Sequence, residues 1–258
     1  PSVSEVGKSE PTDIGIVADI KLALGQLTET LGRVMTPDQV EAAGERAKRV
    51  TEASRTAVEE REEAVRARWD GTPMSPGRMF AELAACLPDD VVIANDSYGS
   101  SEDLMNAVTF KAPGDLHSTR GASTGWGMGG AIGLKIGYPD RPVVAVIGDG
   151  TGISAIQALW TAKNDAIPVV YVICNNAMFR LLKLNMNTYK EEILHEDEPG
   201  SRYLHMDLNT PLDFAGLANV FGLYGERITD PEQIAPAMER ALASGEAAVL
   251  DMVIDGSM

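Results

Sequence analysis

Cysteine and histidine are scarce in this chain. Cys86 and Cys174 are the only cysteines, and each lies in an apolar run, so no disulfide framework is indicated and a reducing compartment is expected. Two cysteines and three scattered histidines do not spell a zinc site. Basic charge is short as well. Lys and Arg number 22 against 38 Asp and Glu, a formal net charge of −16, which argues against a surface for nucleic acid. No run approaches the roughly 20 apolar residues that span a bilayer, and PSVSEVGKSEPTD has neither a basic start nor an apolar targeting segment. The expectation is a cytoplasmic protein with no membrane and no nucleic-acid partner.

Hydrophobic residues are plentiful, at 44% of 258, enough for a sizeable core. Residues 13–32 read as a short strand and an amphipathic helix, too little for a domain and more like the tail of one. Residues 37–70, rich in Glu, Arg and Ala, have the composition of a solvated helix. From Met74 onward the pattern changes. Short β-branched runs (Val91 to Ala94, Val143 to Ile147, Val169 to Cys174, Ala248 to Ile254) alternate with helical stretches (Pro76 to Leu87, Gly127 to Ile136, Ile153 to Ala166, Leu212 to Phe221, Pro231 to Ala243). That alternation predicts an α/β fold: a mostly parallel sheet with helices on both faces.

Such sheets bind ligands beyond the carboxyl ends of their strands. The residues there are Asn95-Asp96-Ser97, Gly148-Asp149-Gly150 and Asn175-Asn176. Residues 143–176 read as one βαβ unit, with GDG and NN separated by 24 residues. Two adjacent parallel strands would bring Asp149 and Asn176 to the same sheet edge, about 4.8 Å between strands. One carboxylate and one amide carbonyl form an oxygen-only set suited to Mg²⁺. Gly150 and Gly152 let the chain turn into a helix whose first N–H groups face that edge, as a phosphate site requires. A metal-bridged diphosphate is the physical expectation. GDG alone is ordinary turn chemistry; the pairing with NN makes the signal.

RPVVAVIGDG, SAIQALWTA, the NN pair and PGDLHSTRGASTGWGMGGAIG together resemble the thiamine diphosphate enzymes of the benzoylformate decarboxylase and acetohydroxyacid synthase-like superfamily, in their carboxyl-terminal, diphosphate-binding domain. The resemblance implies three segments: 1–35 as the tail of a central domain, 36–73 as a charged helical connector and 74–258 as the diphosphate-binding domain. It implies that Asp149, the Asn176 side chain and the Met178 carbonyl ligate Mg²⁺. Gly148, Gly150, Thr151, Gly152 and Ile153 would cradle the diphosphate of thiamine diphosphate from one side, and Ser97, Tyr98 and Gly99 from the other. Ala122, Ser123, Thr124 and Gly125 would support the aminopyrimidine ring. Leu182 and Asn185 would face the substrate.

Two departures from the family pattern stand out. The residue before the Gly-aromatic pair is usually a large aliphatic wedge, and here it is Thr124. The amino-terminal domain that carries the activating glutamate is not in this sequence, so no catalytic residue is assigned. The expected activity is 2-oxo acid decarboxylation, with this chain supplying one half of the site. A chain or domain bearing the pyrimidine-binding half would be its partner, in a homo- or hetero-oligomer, and a small 2-oxo acid or acyl compound its substrate. A carboligase of the acetohydroxyacid synthase type, a 2-hydroxyacyl-CoA lyase and a non-catalytic subunit of the same fold are the alternatives.

Competing readings are weaker. Gly125, Gly127 and Gly130 satisfy GxGxxG, but HSTRGAS before them is no strand, so they read as close helix packing rather than a nicotinamide site. His195 and His205 sit among acidic residues and read as surface. His117 precedes the cofactor-facing loop and is the better proton-shuttle candidate of the three, although a structural role is the commoner outcome. Trp160 and Met128 read as core.

Overall fold

The computed structural model describes residues 3–119, 121, 123–196 and 203–257. Residues 1–62 and 63–258 form two compact units. In the first, α1 (Ile20–Val34) starts at Asp19, whose side chain accepts from the Leu22 N–H at 3.0 Å. The predicted short strand before it is not formed. Ile14 and Ile16 are exposed, and a strand with no pairing partner leaves its backbone groups to water. Helix α2 (Pro37–Ala67) opens with a reciprocal cap, Thr36 N–H to Gln39 Oε1 at 2.9 Å and Gln39 N–H to Thr36 Oγ1 at 3.3 Å. It buries no residue, as its composition predicts.

The second unit runs α3 (Pro76–Cys86), β1 (Val92–Asp96), α4 (Ser101–Ala107), β2 (Leu116–Ser118), α5 (Trp126–Gly137), β3 (Val143–Gly148), α6 (Asp149–Ser154), α7 (Ala158–Asn164), β4 (Val170–Asn175), α8 (Arg180–Glu192), α9 (Phe214–Val220), β5 (Tyr224–Ile228), α10 (Ile234–Ala243) and β6 (Ala248–Val253). The six strands form one all-parallel sheet in the order β2-β1-β3-β4-β6-β5.

Successive residues of a strand point to opposite faces, so the two faces fill different cores. Ile93, Val144, Val172 and Leu250 pack with Met79, Phe80 and Leu83 of α3 and Met238 of α10. Val92, Ala145, Tyr171 and Val249 pack with Met128 of α5, Leu159 of α7 and Phe214 of α9. Burial on both faces is why β1, β3, β4 and β6 are near-continuous β-branched runs. The predicted helix over 153–166 is broken into α6 and α7. Beside the break stands Gly125 in the left-handed region (φ +91), where an added Cβ would lie 3.1 Å from the Ala155 Cβ.

Candidate functional site

The carboxyl ends of β1, β3 and β4 converge, because Asp96 pairs with Ile147 and Gly148 with Cys174. A cavity of about 250 Å³ opens there. Its lining includes Ser97, Tyr98 and Gly99 after β1, Gly148, Asp149, Gly150 and Thr151 after β3, and Asn176 and Met178 after β4. Thr124 and Leu182 line it too. Of the remaining predicted site residues, Ser123, Ile153 and Asn185 are exposed and Gly125 and Gly152 are buried, and none of the five is among the cavity residues. Ala122 lies outside the described residues.

Each wall has a local cause. After β1, the Asn95 side-chain oxygen accepts from the Ser97 N–H at 3.2 Å and its hydroxyl at 2.8 Å, which turns the chain sharply. Tyr98 follows with φ +40, a strained conformation for an aromatic residue. After β3, Gly150 donates to Asp149 Oδ1 at 2.7 Å. An added Cβ on Gly150, in the first turn of α6, would lie 2.4 Å from the Phe179 ring, so a larger residue there would have to displace that ring. After β4, the Met178 N–H donates to Asn176 Oδ1 at 3.1 Å, around Ala177 at φ +56.

That last turn is clamped from outside. Phe179 donates to the Met206 carbonyl and Leu208 to the Ala177 carbonyl, both at 2.8 Å, and Lys183, itself buried, forms an ion pair with Asp207. No sequence signal pointed to this long-range strap.

Among the described residues, three buried side-chain atoms have no hydrogen-bond partner: Asp96 Oδ1, Tyr98 OH and Asp149 Oδ2. All belong to residues at this sheet edge. Asp149 is 3% exposed. Burial pushes its carboxyl up to about 6, against the N–H groups of Gly150, Ala177, Asn176 and Met178, which favour the charged form. Asp96, also raised by burial, accepts from the Gly127 N–H at 2.8 Å and so fixes the start of α5. An unsatisfied buried carboxylate oxygen is costly, and such atoms mark sites that take a further partner.

Residues 97–252 match the family described as "Thiamine pyrophosphate enzyme, C-terminal TPP binding domain". The chain belongs to this family. It is 26% identical to benzoylformate decarboxylase of Pseudomonas aeruginosa, over 71% of this chain and 33% of that protein. It is 34% identical to an acetolactate synthase large subunit of Mycobacterium tuberculosis, over 73% of this chain and 33% of that protein. The structure of the thiamine diphosphate-dependent 4-hydroxybenzoylformate decarboxylase of Rhodococcus jostii RHA1 superposes with a TM-score of 0.64 at 28% identity, over 72% of this chain and 33% of that one. The chain thus spans 33% to 42% of the length of the first curated relatives it matches.

The cavity also contains residues that sequence reasoning missed: Ser100, Cys174, Phe179, Arg180 and Leu181. Arg180 carried the one available signal, a cation immediately after an otherwise neutral loop. The histidines stand apart. His117 is on β2, within 3.1 Å of the Gly114 carbonyl through Nε2, and is not a cavity residue. His195 and His205 are exposed. Trp160, read as core, is 59% exposed on α7.

Proposed function

We propose that this chain supplies the diphosphate- and Mg²⁺-binding half of a thiamine diphosphate-dependent 2-oxo acid decarboxylase. The observation that carries the reading is Asp149: a buried carboxylate with one unpartnered oxygen, in the same cavity as Asn176 and Met178. A hard divalent cation fits that oxygen-rich set, and it would relieve the cost of the buried charge. Asp149, the Asn176 side chain and the Met178 carbonyl are the groups that would hold Mg²⁺. Ser97, Tyr98, Gly99, Gly148, Gly150 and Thr151 would surround the diphosphate, with Ala122, Ser123 and Thr124 toward the aminopyrimidine.

Thiamine diphosphate, when bound, supplies a carbanion for attack on a carbonyl and an electron sink for loss of carbon dioxide. This chain's part is to position and to exclude water. Phe179 covers Gly150, and Leu182 presents an apolar surface to the reacting group. Among the described residues, Asp149 is the only carboxyl residue lining the cavity, and its place on the metal would remove it from proton transfer at the pyrimidine. The activating acid would therefore come from a chain or domain bearing the pyrimidine-binding half. On this reading residues 74–258 are the diphosphate-binding domain, 36–73 the connector and 1–35 the end of a preceding domain, with Asn185 near the substrate. A carboligase of the acetolactate synthase type is the second reading, favoured by the 34% identity to the Mycobacterium tuberculosis protein.

Calorimetry with thiamine diphosphate and Mg²⁺ tests the reading. Asp149→Ala should weaken binding at least tenfold, about 1.4 kcal/mol; equal affinity would refute the metal assignment. Exchange of the cofactor's C2 proton, followed by NMR, should be slow with this chain alone and rapid once the pyrimidine-binding partner is added. Rapid exchange by the chain alone would show that it carries its own activating acid.

A further inference from the structure

Among the described residues, Arg180 is the only cationic one lining the cavity, in a chain whose net charge is −16. Its guanidinium is held in place: Nη1 donates to the Gly99 carbonyl at 3.1 Å and Nε to the Ser257 carbonyl at 3.4 Å. Nη2 has no hydrogen-bond partner among the described residues. The half-buried Asp103 feels its charge, but the two form no ion pair. Tyr98 lines the same cavity, and its hydroxyl is buried without a partner among the described residues. Arg180 also begins α8, a helix of 13 residues with no side-chain cap and no acidic residue in its first turn. The Arg180 Nη2 and the Tyr98 hydroxyl are donors that lack an acceptor among the described residues, and a guanidinium favours an anionic one.

We propose that Arg180 is a specificity-determining residue that selects substrates carrying an anionic group remote from the reacting carbonyl, such as a second carboxylate. This rests on the decarboxylase reading and narrows its substrate class. The carboxylate that is lost cannot be the group it serves. That carboxylate becomes neutral carbon dioxide, so a cation on it would stabilise the bound substrate more than the transition state and slow the reaction. A carboxylate that keeps its charge throughout is held equally in both states, and contributes to binding and selection. Leu181 and Leu182, next along α8, leave an apolar span for the carbon chain between the two ends.

The test uses two five-carbon probes without a ketone, glutarate and valerate, titrated into the full chain by NMR with thiamine diphosphate and Mg²⁺ present. The wild-type chain should bind glutarate at least tenfold more tightly than valerate. Arg180→Ala should abolish that preference, and Arg180→Lys, which keeps the charge, should retain part of it. Thermal melting checks that both variants fold. Equal binding of the two probes by the wild type, or a preference that survives Arg180→Ala, overturns the proposal. Calorimetry on the same samples separates the remaining explanations. A tenfold loss of thiamine diphosphate affinity in Arg180→Ala would assign the guanidinium to the cofactor's diphosphate and overturn the proposal. No cofactor binding by the wild type would instead refute the cofactor reading, while the glutarate-to-valerate comparison still judges Arg180.

Discussion

Asn175 donates a hydrogen bond to Asp251 at 2.8 Å, and a second to the Leu212 carbonyl at 3.0 Å. This pair anchors the end of β4 from which Asn176 enters the cavity. The two adjacent asparagines therefore divide the work, one inside the sheet and one at the site.

Removing the anchor should be expensive. Asp251 is fully buried, and burial raises its pKa against the opposing effect of its partners. Asn175→Ala leaves that carboxyl short of a donor, so stability should fall by about 2–4 kcal/mol in urea denaturation. A change below ~0.5 kcal/mol would show that Phe214 N–H and Arg227, its other partners, suffice alone.

Asp149 makes a pH-dependent prediction for the chain freed of divalent cations by a chelator. Its carboxyl titrates at about 6 when folded and at about 3.9 when unfolded. Between those values the folded state keeps a proton that the unfolded state has lost, so stability falls as pH rises from 4 through 6. Asp149→Asn removes this penalty. It should be more stable than the wild type by about 2–3 kcal/mol at pH 7.5, with the difference gone near pH 4. Parallel stability profiles across that range would contradict the assignment of the raised pKa.

Gly127→Ala should destabilise despite alanine's better helix propensity. An added Cβ would lie 2.5 Å from the Ile147 Cδ1 and 2.6 Å from the Asp96 Cβ. The propensity gain of about 0.5–1 kcal/mol is smaller than the ~1–3 kcal/mol of overpacking. A melting temperature at or above the wild-type value would mean that α5 shifts without cost.

Leu182 is half-exposed at the cavity wall. In the active assembly, Leu182→Ala should change relative kcat/KM across a panel of 2-oxo acids by roughly tenfold between small and bulky side chains. A uniform loss over the whole panel would assign the residue a purely structural role.

The strands buried on both faces were legible, because continuous β-branched runs leave few alternatives; β1, β3, β4 and β6 fall within two residues of their predicted spans. The strands β2 and β5 were not. β2 is only LHS, and YGERI in β5 carries a glycine and two charges, which reads as loop. The same contrast holds at the site. The small polar residues after each inner strand could be read, since that edge is where ligands bind. Arg180 and Phe179 could not, because their place in the cavity depends on how α8 leaves the Asn176–Met178 turn. That turn is held by Met206 and Leu208, far along the chain.

The two strands that sequence reading missed also decide how the sheet meets its surroundings. An exposed strand edge invites pairing with other chains. Here one margin is a strand of three residues. The other carries Glu226, bound to Arg240 at 2.7 Å, and Arg227, bound to Asp251 at 3.3 Å. Neither margin offers a long apolar template, so the sheet is protected against fibril-like growth by strand addition. Six parallel strands can thus stay open-ended without becoming a nucleus for aggregation.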